Sequence, residues 1–340
     1  MKKILNSADR YVDEMIDGIL AAFPDHLKAS AVSERGIRGL VVANAPIKDK
    51  VAIATGGGSG HIPLFLGYLG DGLADGVAVG DVFSSPSAGE MLDVTRAIHS
   101  GKGVLYLYGN YGGDVMNFGM AAEMAAAEGI EVQTSLGCDD VASAPPDEWE
   151  SRRGIAGIYF TYKIAGARAA QGAPLAEVKR VADKAGANVR TMGVALSPCT
   201  IPAAGVPTFT LEESEMEIGM GIHGERGIER GPISSANEVV DFMLDRILQD
   251  LPFEKGNQVS VLVNGLGATA PSELYIMYRQ VAKILEQRKI RVLRCFVGEY
   301  ATSMEMKGAS ISLLRLDDEL LQLLDEPCYS PFLLQQVQHR

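Results

Sequence analysis

The run Val51-Ala52-Ile53-Ala54-Thr55-Gly56-Gly57-Gly58-Ser59-Gly60-His61-Ile62-Pro63 joins a short apolar segment to a glycine cluster and a histidine. Residues 51–54 read as a buried strand. The glycines that follow predict a turn, with a backbone free to take conformations closed to residues with a Cβ and open to a ligand at its amides. His61 carries the side chain best suited to moving protons near neutral pH. Strand, glycine turn and base, in that order, put chemistry at the carboxyl edge of an open α/β sheet, where such sheets bind small molecules. No Lys-Ser/Thr follows the glycines, so this is not a Walker A loop, and the last glycine of G-x-G-x-x-G is absent. Read alone, the stretch is either a plain turn or a small-molecule site, and not a nucleotide site.

Outward from this run the chain alternates. Residues 8–23 place Val12, Met15, Ile16, Ile19 and Leu20 at helical spacing before Pro24. Strands are predicted at 40–42, 51–55, 76–80, 103–108 and 130–134, with helices starting at 64–69 and spanning 88–99 and 117–128. This is the pattern of βαβ units. Residues 137–153 are polar and hold Pro145-Pro146, which predicts a surface loop. Helices at 154–171 and 174–186 follow. A second block has strands at 191–196, 216–221, 258–263, 290–297 and 310–315, and helices at 235–250 and 272–287. The expected fold is therefore two α/β domains, each on a largely parallel or mixed sheet flanked by helices, with residues 1–187 in one and 188–340 in the other.

Composition narrows the function. A formal net charge of −12 argues against a nucleic-acid binder, whose footprint is basic. No apolar run reaches the roughly 18–20 residues needed to cross a bilayer. The start turns polar at once, without a secretory signal. Cys138, Cys199, Cys295 and Cys328 are scattered with no C-x-x-C, which predicts reduced cysteines in a cytoplasmic protein.

Three post-strand segments carry reactive groups: Gly58-Ser59-Gly60-His61, Gly112-Gly113-Asp114, and Met216-Glu217-Ile218-Gly219-Met220-Gly221-Ile222-His223-Gly224-Glu225. All three read as loops. His61 and His223 stand out because both follow strands in glycine-rich settings, where loops carry function. His26, His99 and His339 read as ordinary core or surface residues. Two histidines and a carboxylate raise the possibility of zinc, but H-x-x-x-H and H-E-x-x-H are missing. A Ser59–His61–Asp114 triad lacks the G-x-S-x-G elbow. Gly265-Leu266-Gly267-Ala268-Thr269 is either an anion loop or a simple turn into the next helix.

Five motifs taken together resemble the K subunit of the dihydroxyacetone kinases, nearly end to end. They are Gly56-Gly57-Gly58-Ser59-Gly60-His61, Asn110-Tyr111-Gly112-Gly113-Asp114-Val115-Met116-Asn117-Phe118, Cys199-Thr200-Ile201-Pro202-Ala203-Ala204-Gly205, the His223 segment above, and Asn264-Gly265-Leu266-Gly267-Ala268-Thr269. The resemblance implies a small keto-sugar kinase in which His223 holds the substrate ketone as a covalent hemiaminal. It implies that His61 acts on the hydroxyl receiving the phosphoryl group, that Asp114 activates and orients that hydroxyl, and that Gly58, Ser59 and Gly60 line the substrate. It also implies no cofactor and no metal in this chain, ADP or ATP with magnesium on a separate L subunit, and a homodimer.

Two positions depart from the family pattern. Gly109 stands where many members carry a substrate-contacting Lys, and Ile62 where many carry Glu. A wider, more neutral pocket is expected, suited to a four-carbon keto-sugar such as erythrulose. The alternative is a non-catalytic paralogue that senses the ketone and acts as a co-regulator.

Overall fold

The computed structural model describes residues 2–33 and 36–336, so His339 lies outside the described residues. The chain forms two compact units. The first takes the segment ending at Leu136, then Thr161–Lys184, then the segment from Gln322; the second takes Gly137–Phe160 and Ala185–Leu321. The unit border nearest the expected division at 188 falls between Lys184 and Ala185.

In the first unit, α1 (Tyr11–Ala22) buries Val12 and Ile16 and precedes β1 (Leu27–Ala29). A small ribbon of β2 (Val32–Ser33) and β3 (Gly36–Ile37) leads into β4 (Gly39–Val42). Next come β5 (Ala52–Ser59), β6 (Gly76–Val82), α2 (Ala88–Ile98), β7 (Val104–Gly109), α3 (Gly112–Ala127) and β8 (Val132–Gly137). Helix α2 starts at a reciprocal capping box between Ser87 and Glu90, which satisfies two otherwise orphaned backbone donors.

The sheet order is β1-β4-β6-β5-β7-β8, with β5 parallel to both β6 and β7, and β4 antiparallel to β6. The chain leaving β5 goes to one side, to β6, while the chain leaving β7 goes to the other, to β8. The carboxyl ends of β5 and β7 therefore flank a topological switch point, the crevice where open α/β sheets take ligands. Pairing of these two strands runs only from Ala52/Val104 to Ala54/Tyr106. Beyond it, the Tyr162 hydroxyl lies 2.6 Å from Thr55 Oγ1 on one strand and donates to Leu107 O on the other at 3.4 Å.

Three expectations are corrected here. The glycines 56–58 belong to strand β5, and the turn begins only at Gly60. Asp114 is not in a loop but in the first turn of α3, which starts five residues earlier than the apolar pattern indicated. The helix expected from residue 64 amounts to one 3-10 turn, Leu66–Tyr68, because Pro63 and the left-handed Phe65 (φ 64°) leave no room for an α-helical start.

A 3-10 segment at Pro146–Ser151 interrupts the expected surface loop. Arg152, just past it, is fully buried and pairs with Asp250, which also takes Arg190 at 2.5 Å. Helices α4 (Ile158–Ala170) and α5 (Leu175–Ala187) follow. The second unit then runs β9 (Val189–Ala195), β10 (Glu215–Ile218), β11 (Glu229–Pro232), α6 (Ala236–Asp250), β12 (Gln258–Gly265), α7 (Pro271–Gln287), β13 (Arg291–Gly298) and β14 (Gly308–Leu316). Its sheet order is β11-β10-β9-β14-β12-β13, and only β12 and β13 are parallel, joined across the 17-residue α7. Alternate residues Val259, Val261 and Val263 of β12 meet Val240, Met243 and Ile247 of α6 and Leu274 and Val281 of α7 in one apolar core. Two mixed sheets with flanking helices are thus the architecture. The sequence pattern missed helix α8 (Asp318–Asp325) and the hairpin β15 (Cys328–Ser330) and β16 (Leu333–Gln335), which return the chain to the first unit.

Candidate functional site

The first unit presents a histidine fixed by packing. His61 is 1% exposed. Its ring stacks on Phe83 at 4.8 Å and meets Phe65 edge-on at 6.2 Å. Both aromatic residues have left-handed backbones, φ 58° at Phe83 and φ 64° at Phe65. Such conformations are costly for bulky residues and persist where the surroundings over-determine them, as at functional sites.

The glycine run makes this packing possible. A Cβ on Gly57 would meet the Phe65 ring at 2.4 Å, and one on Gly58 would meet Phe83 Cα at 2.7 Å and Ser84 N at 2.6 Å. The space over Gly58 is thus occupied by the segment that carries Phe83. Ser59 ends the strand, and its hydroxyl is buried with no hydrogen-bond partner among the described residues. Gly60 turns the chain at φ 100°.

Across the same crevice, Gly109 closes β7 and is buried. Asp114 follows on the first turn of α3, only 6% exposed, where the helix dipole favours a negative charge. The motif's next residues seat this helix. Asn117 donates to Pro86 O at 2.8 Å, and Phe118 packs edge-on against Tyr108 at 4.4 Å. Burial, and then the Asp114 charge, push the Tyr108 hydroxyl well above its ordinary range; burial and the same charge do so at Tyr162. Both hydroxyls therefore stay protonated at neutral pH.

The second unit fixes its histidine differently. His223 lies between β10 and β11, and its side chain is 20% exposed. Its Nδ1 is 2.9 Å from Glu225 Oε1, and its backbone N–H donates to Glu225 Oε2 at 2.9 Å. Gly224, at φ 83°, lets the chain double back so that a carboxylate two residues on grips both groups of one histidine. Burial works against a charged Glu225, but the His223 hydrogen bond and the charges of His223 and Arg153 outweigh it and hold the carboxyl at about 2. Arg153 is 3.9 Å from Glu225 and 2.8 Å from the buried Asp140. When the ring is neutral, the carboxylate makes Nδ1 the donor and places the lone pair on Nε2. Glu225 was in the quoted motif but not among the expected site residues. The signal was there: an acid two residues from a histidine, across a glycine.

Gly265–Thr269 is a structural turn. Thr269 Oγ1 donates to Gly308 O and accepts from Gly308 N, and a Cβ on Gly267 would strike Met304 O at 1.9 Å. Among the described residues, no cluster of three or more His, Cys, Asp or Glu residues is arranged to hold a metal, and no helix is long and apolar enough to cross a membrane.

Comparison with known proteins places these features. The model of the Dak1 domain matches residues 6–332. The chain is 46% identical to "PTS-dependent dihydroxyacetone kinase 2, dihydroxyacetone-binding subunit DhaK" of Listeria innocua, covering 98% of this chain and 99% of that protein. It is 41% identical to the L-erythrulose kinase of Pectobacterium atrosepticum over 97% of its own length, but spans only 56% of that relative. Among solved structures, the dihydroxyacetone kinase of C. freundii superposes with a TM-score of 0.87 at 33% identity, covering 100% of this chain and 61% of that one; the same kinase is also known in complex with AMP-PNP and Mg2+. An operon co-activator, Dha-DhaQ, matches with a TM-score of 0.87 at 30% identity, covering 95% of this chain and 98% of its own. The chain belongs to the dihydroxyacetone kinase family, in the group of its dihydroxyacetone-binding K subunits built on the Dak1 domain.

Proposed function

We propose that this chain is the substrate-binding and catalytic subunit of a small keto-sugar kinase. The observation that carries the chemical part is the double grip of Glu225 on His223, which orients the ring and makes Nε2 the nucleophilic nitrogen of the neutral imidazole. An imidazole so ordered adds reversibly to a ketone carbon. The C–N bond forms as the carbonyl π pair moves to oxygen, which takes up a proton from solvent, while the Nδ1 proton stays on the hydrogen bond to Glu225 as positive charge develops on the ring. Glu225 is too weak a base to take that proton and serves as its counter-ion. A hemiaminal of this kind selects ketones against polyols such as glycerol, which have no carbonyl.

His61 and Asp114 then act on the substrate hydroxyl that accepts the phosphoryl group. His61 takes up the proton, and Asp114 orients the hydroxyl from the α3 terminus. Gly58, Ser59, Gly60 and Gly109 line the substrate, with Ser59 Oγ supplying a hydrogen bond that is otherwise unmade. In phosphoryl transfer, positioning and charge supply most of the acceleration, which suits a subunit that holds only the acceptor. The donor nucleotide and magnesium are assigned to a separate L subunit, in the cytoplasm, and the K subunit to a homodimer. Gly109 and Ile62 favour a four-carbon ketone over dihydroxyacetone.

Two measurements test this. Native mass spectrometry with dihydroxyacetone and each erythrulose enantiomer is expected to show an adduct that His223→Ala abolishes; an undiminished adduct on that variant rejects the hemiaminal. Turnover with a cognate L subunit is expected to favour an erythrulose, and a strong preference for dihydroxyacetone rejects the substrate assignment. The likeness to the operon co-activator motivates the second reading, a ketone sensor without turnover. Activity lost in His61→Ala while the adduct persists decides for the kinase.

A further inference from the structure

The polar side chains of the motif beginning Asn264-Gly265-Leu266 are spent on structure: Thr269 bonds Gly308, and Asn264 bonds a neighbouring loop and strand. Asn264 is buried, and its side chain makes four hydrogen bonds. Oδ1 accepts from Tyr300 N at 2.8 Å and Ala301 N at 2.9 Å, and Nδ2 donates to Ala301 O at 2.8 Å and Ser310 Oγ at 3.1 Å. That is the whole capacity of an amide side chain, and most of it is spent on two adjacent residues of one loop. The loop is fixed again at its next turn, where Ser303 N donates to Leu266 O at 2.9 Å.

Ser303, itself fully buried, donates from Oγ to Ile222 O at 2.5 Å. Ile222 O and His223 N belong to one peptide group. Its oxygen is held by Ser303 and its N–H by Glu225 Oε2, the acid that also takes His223 Nδ1. The peptide plane in front of the histidine is therefore pinned at both ends. Cys199 Sγ lies 3.7 Å from Ser303 Oγ and 3.7 Å from Thr208 Oγ1, so the Cys199 motif backs the same serine.

We infer that Ser303, set by Asn264, is the positioning residue that fixes the peptide plane and hence the ring orientation of His223. The inference rests on the reading that His223 captures the ketone, and it gives a purpose to two motifs that contribute no group to the chemistry. A buried carbonyl that loses its donor drifts to find another, and the acid gripping the same peptide drifts with it. His223 would then sample orientations in which Nε2 no longer faces its target. Ketone capture would weaken although every reacting atom is still present.

The test uses the full chain and two readouts: ketone occupancy by native mass spectrometry across a titration of dihydroxyacetone and of erythrulose, and the 15N and 1H imidazole resonances of His223 by NMR. Ser303→Ala is expected to weaken capture about tenfold, the worth of one hydrogen bond, and to move the Nδ1–H resonance. Ser303→Thr, which keeps the hydroxyl, is expected to restore both. Asn264→Asp keeps the two acceptor contacts, loses the donors and should fall between. Ser312→Ala removes a buried hydroxyl bonded to Thr191 in the same unit, and should lower the melting temperature without moving either readout. A wild-type titration and unchanged His223 resonances in Ser303→Ala overturn the inference, as does a Ser312→Ala variant that matches it. His223→Ala separates the two levels: an adduct that survives there removes the hemiaminal reading itself. An adduct lost there but kept at full strength in Ser303→Ala removes only the positioning role.

Discussion

His61 and His223 stand in similar surroundings in the sequence, each after a strand and among glycines, yet the fold holds them by different forces. His61 is enclosed between two aromatic rings on left-handed backbones, over a glycine strand that lets those rings approach. His223 is partly open; its backbone N–H and Nδ1 are both held by the Glu225 carboxylate, and the peptide before it is held by Ser303. Packing between two rings fixes where the imidazole lies, which suits a group that must take and return a proton at one position. A charged hydrogen bond fixes which nitrogen carries the proton, which suits a nucleophile.

The largest expected effect that would break this contrast is at His61. His61→Asn should lower turnover by about 10²–10⁴-fold, the range for loss of a general base, while adduct formation at His223 stays intact. Adduct loss in that variant would mean that the two histidines do not divide the work. Next is Glu225→Gln, which keeps the shape of the dyad but not its charge. Ketone capture should fall by about 10- to 100-fold, comparable to losing the partner that orients a ligating histidine. An unchanged titration would show that shape alone orders the ring.

Gly58→Ala probes the packing side. Its Cβ would press on the backbone at Phe83 and Ser84, so denaturant unfolding should show a loss of about 1–3 kcal/mol. The same substitution at Gly112, which has open space around its Cβ position, should be far milder. Equal losses would show that close approach over the strand is not what the glycine run serves.

The smallest effect is on pH. Glu225 titrates at about 2 in the fold against 4.5 in the unfolded chain. A folded pKa below the unfolded one adds stability that is complete above about 4.5 and is lost as pH falls toward 2. Melting temperatures of the wild type and Glu225→Gln measured from pH 5 downward should therefore converge as pH falls. A gap that stays constant across that window would detach the acid from the stability of its loop.

Much of the fold was legible because apolar periodicity and glycine placement are local properties. Strand β7, helix α2 with its Ser87 cap and helix α6 with its Ser235 cap fell close to where the pattern put them. The glycine stretch misled, because glycines in a strand read as a turn when what packs into the space of their missing Cβ atoms, the rings of Phe65 and Phe118 and the backbone at Phe83, is far along the chain. Phe65, Phe83, Tyr162 and Ser303 escaped notice for a related reason. An aromatic or a serine carries no site signature until its neighbours are known.

By itself, the sequence determined the α/β class and the family, and it singled out His61, Asp114 and His223 for the proposed chemistry, because those follow from short motifs whose order and spacing are written along the chain. Only the tertiary structure decided that the chain returns to its first unit after residue 321, that Asp114 opens a helix, that β5 and β7 flank the switch point, and that a serine 80 residues downstream holds the peptide before His223. Each of these depends on which distant segments share a strand pair or a hydrogen bond. That choice is made by the packing of the whole core, and no local stretch encodes it.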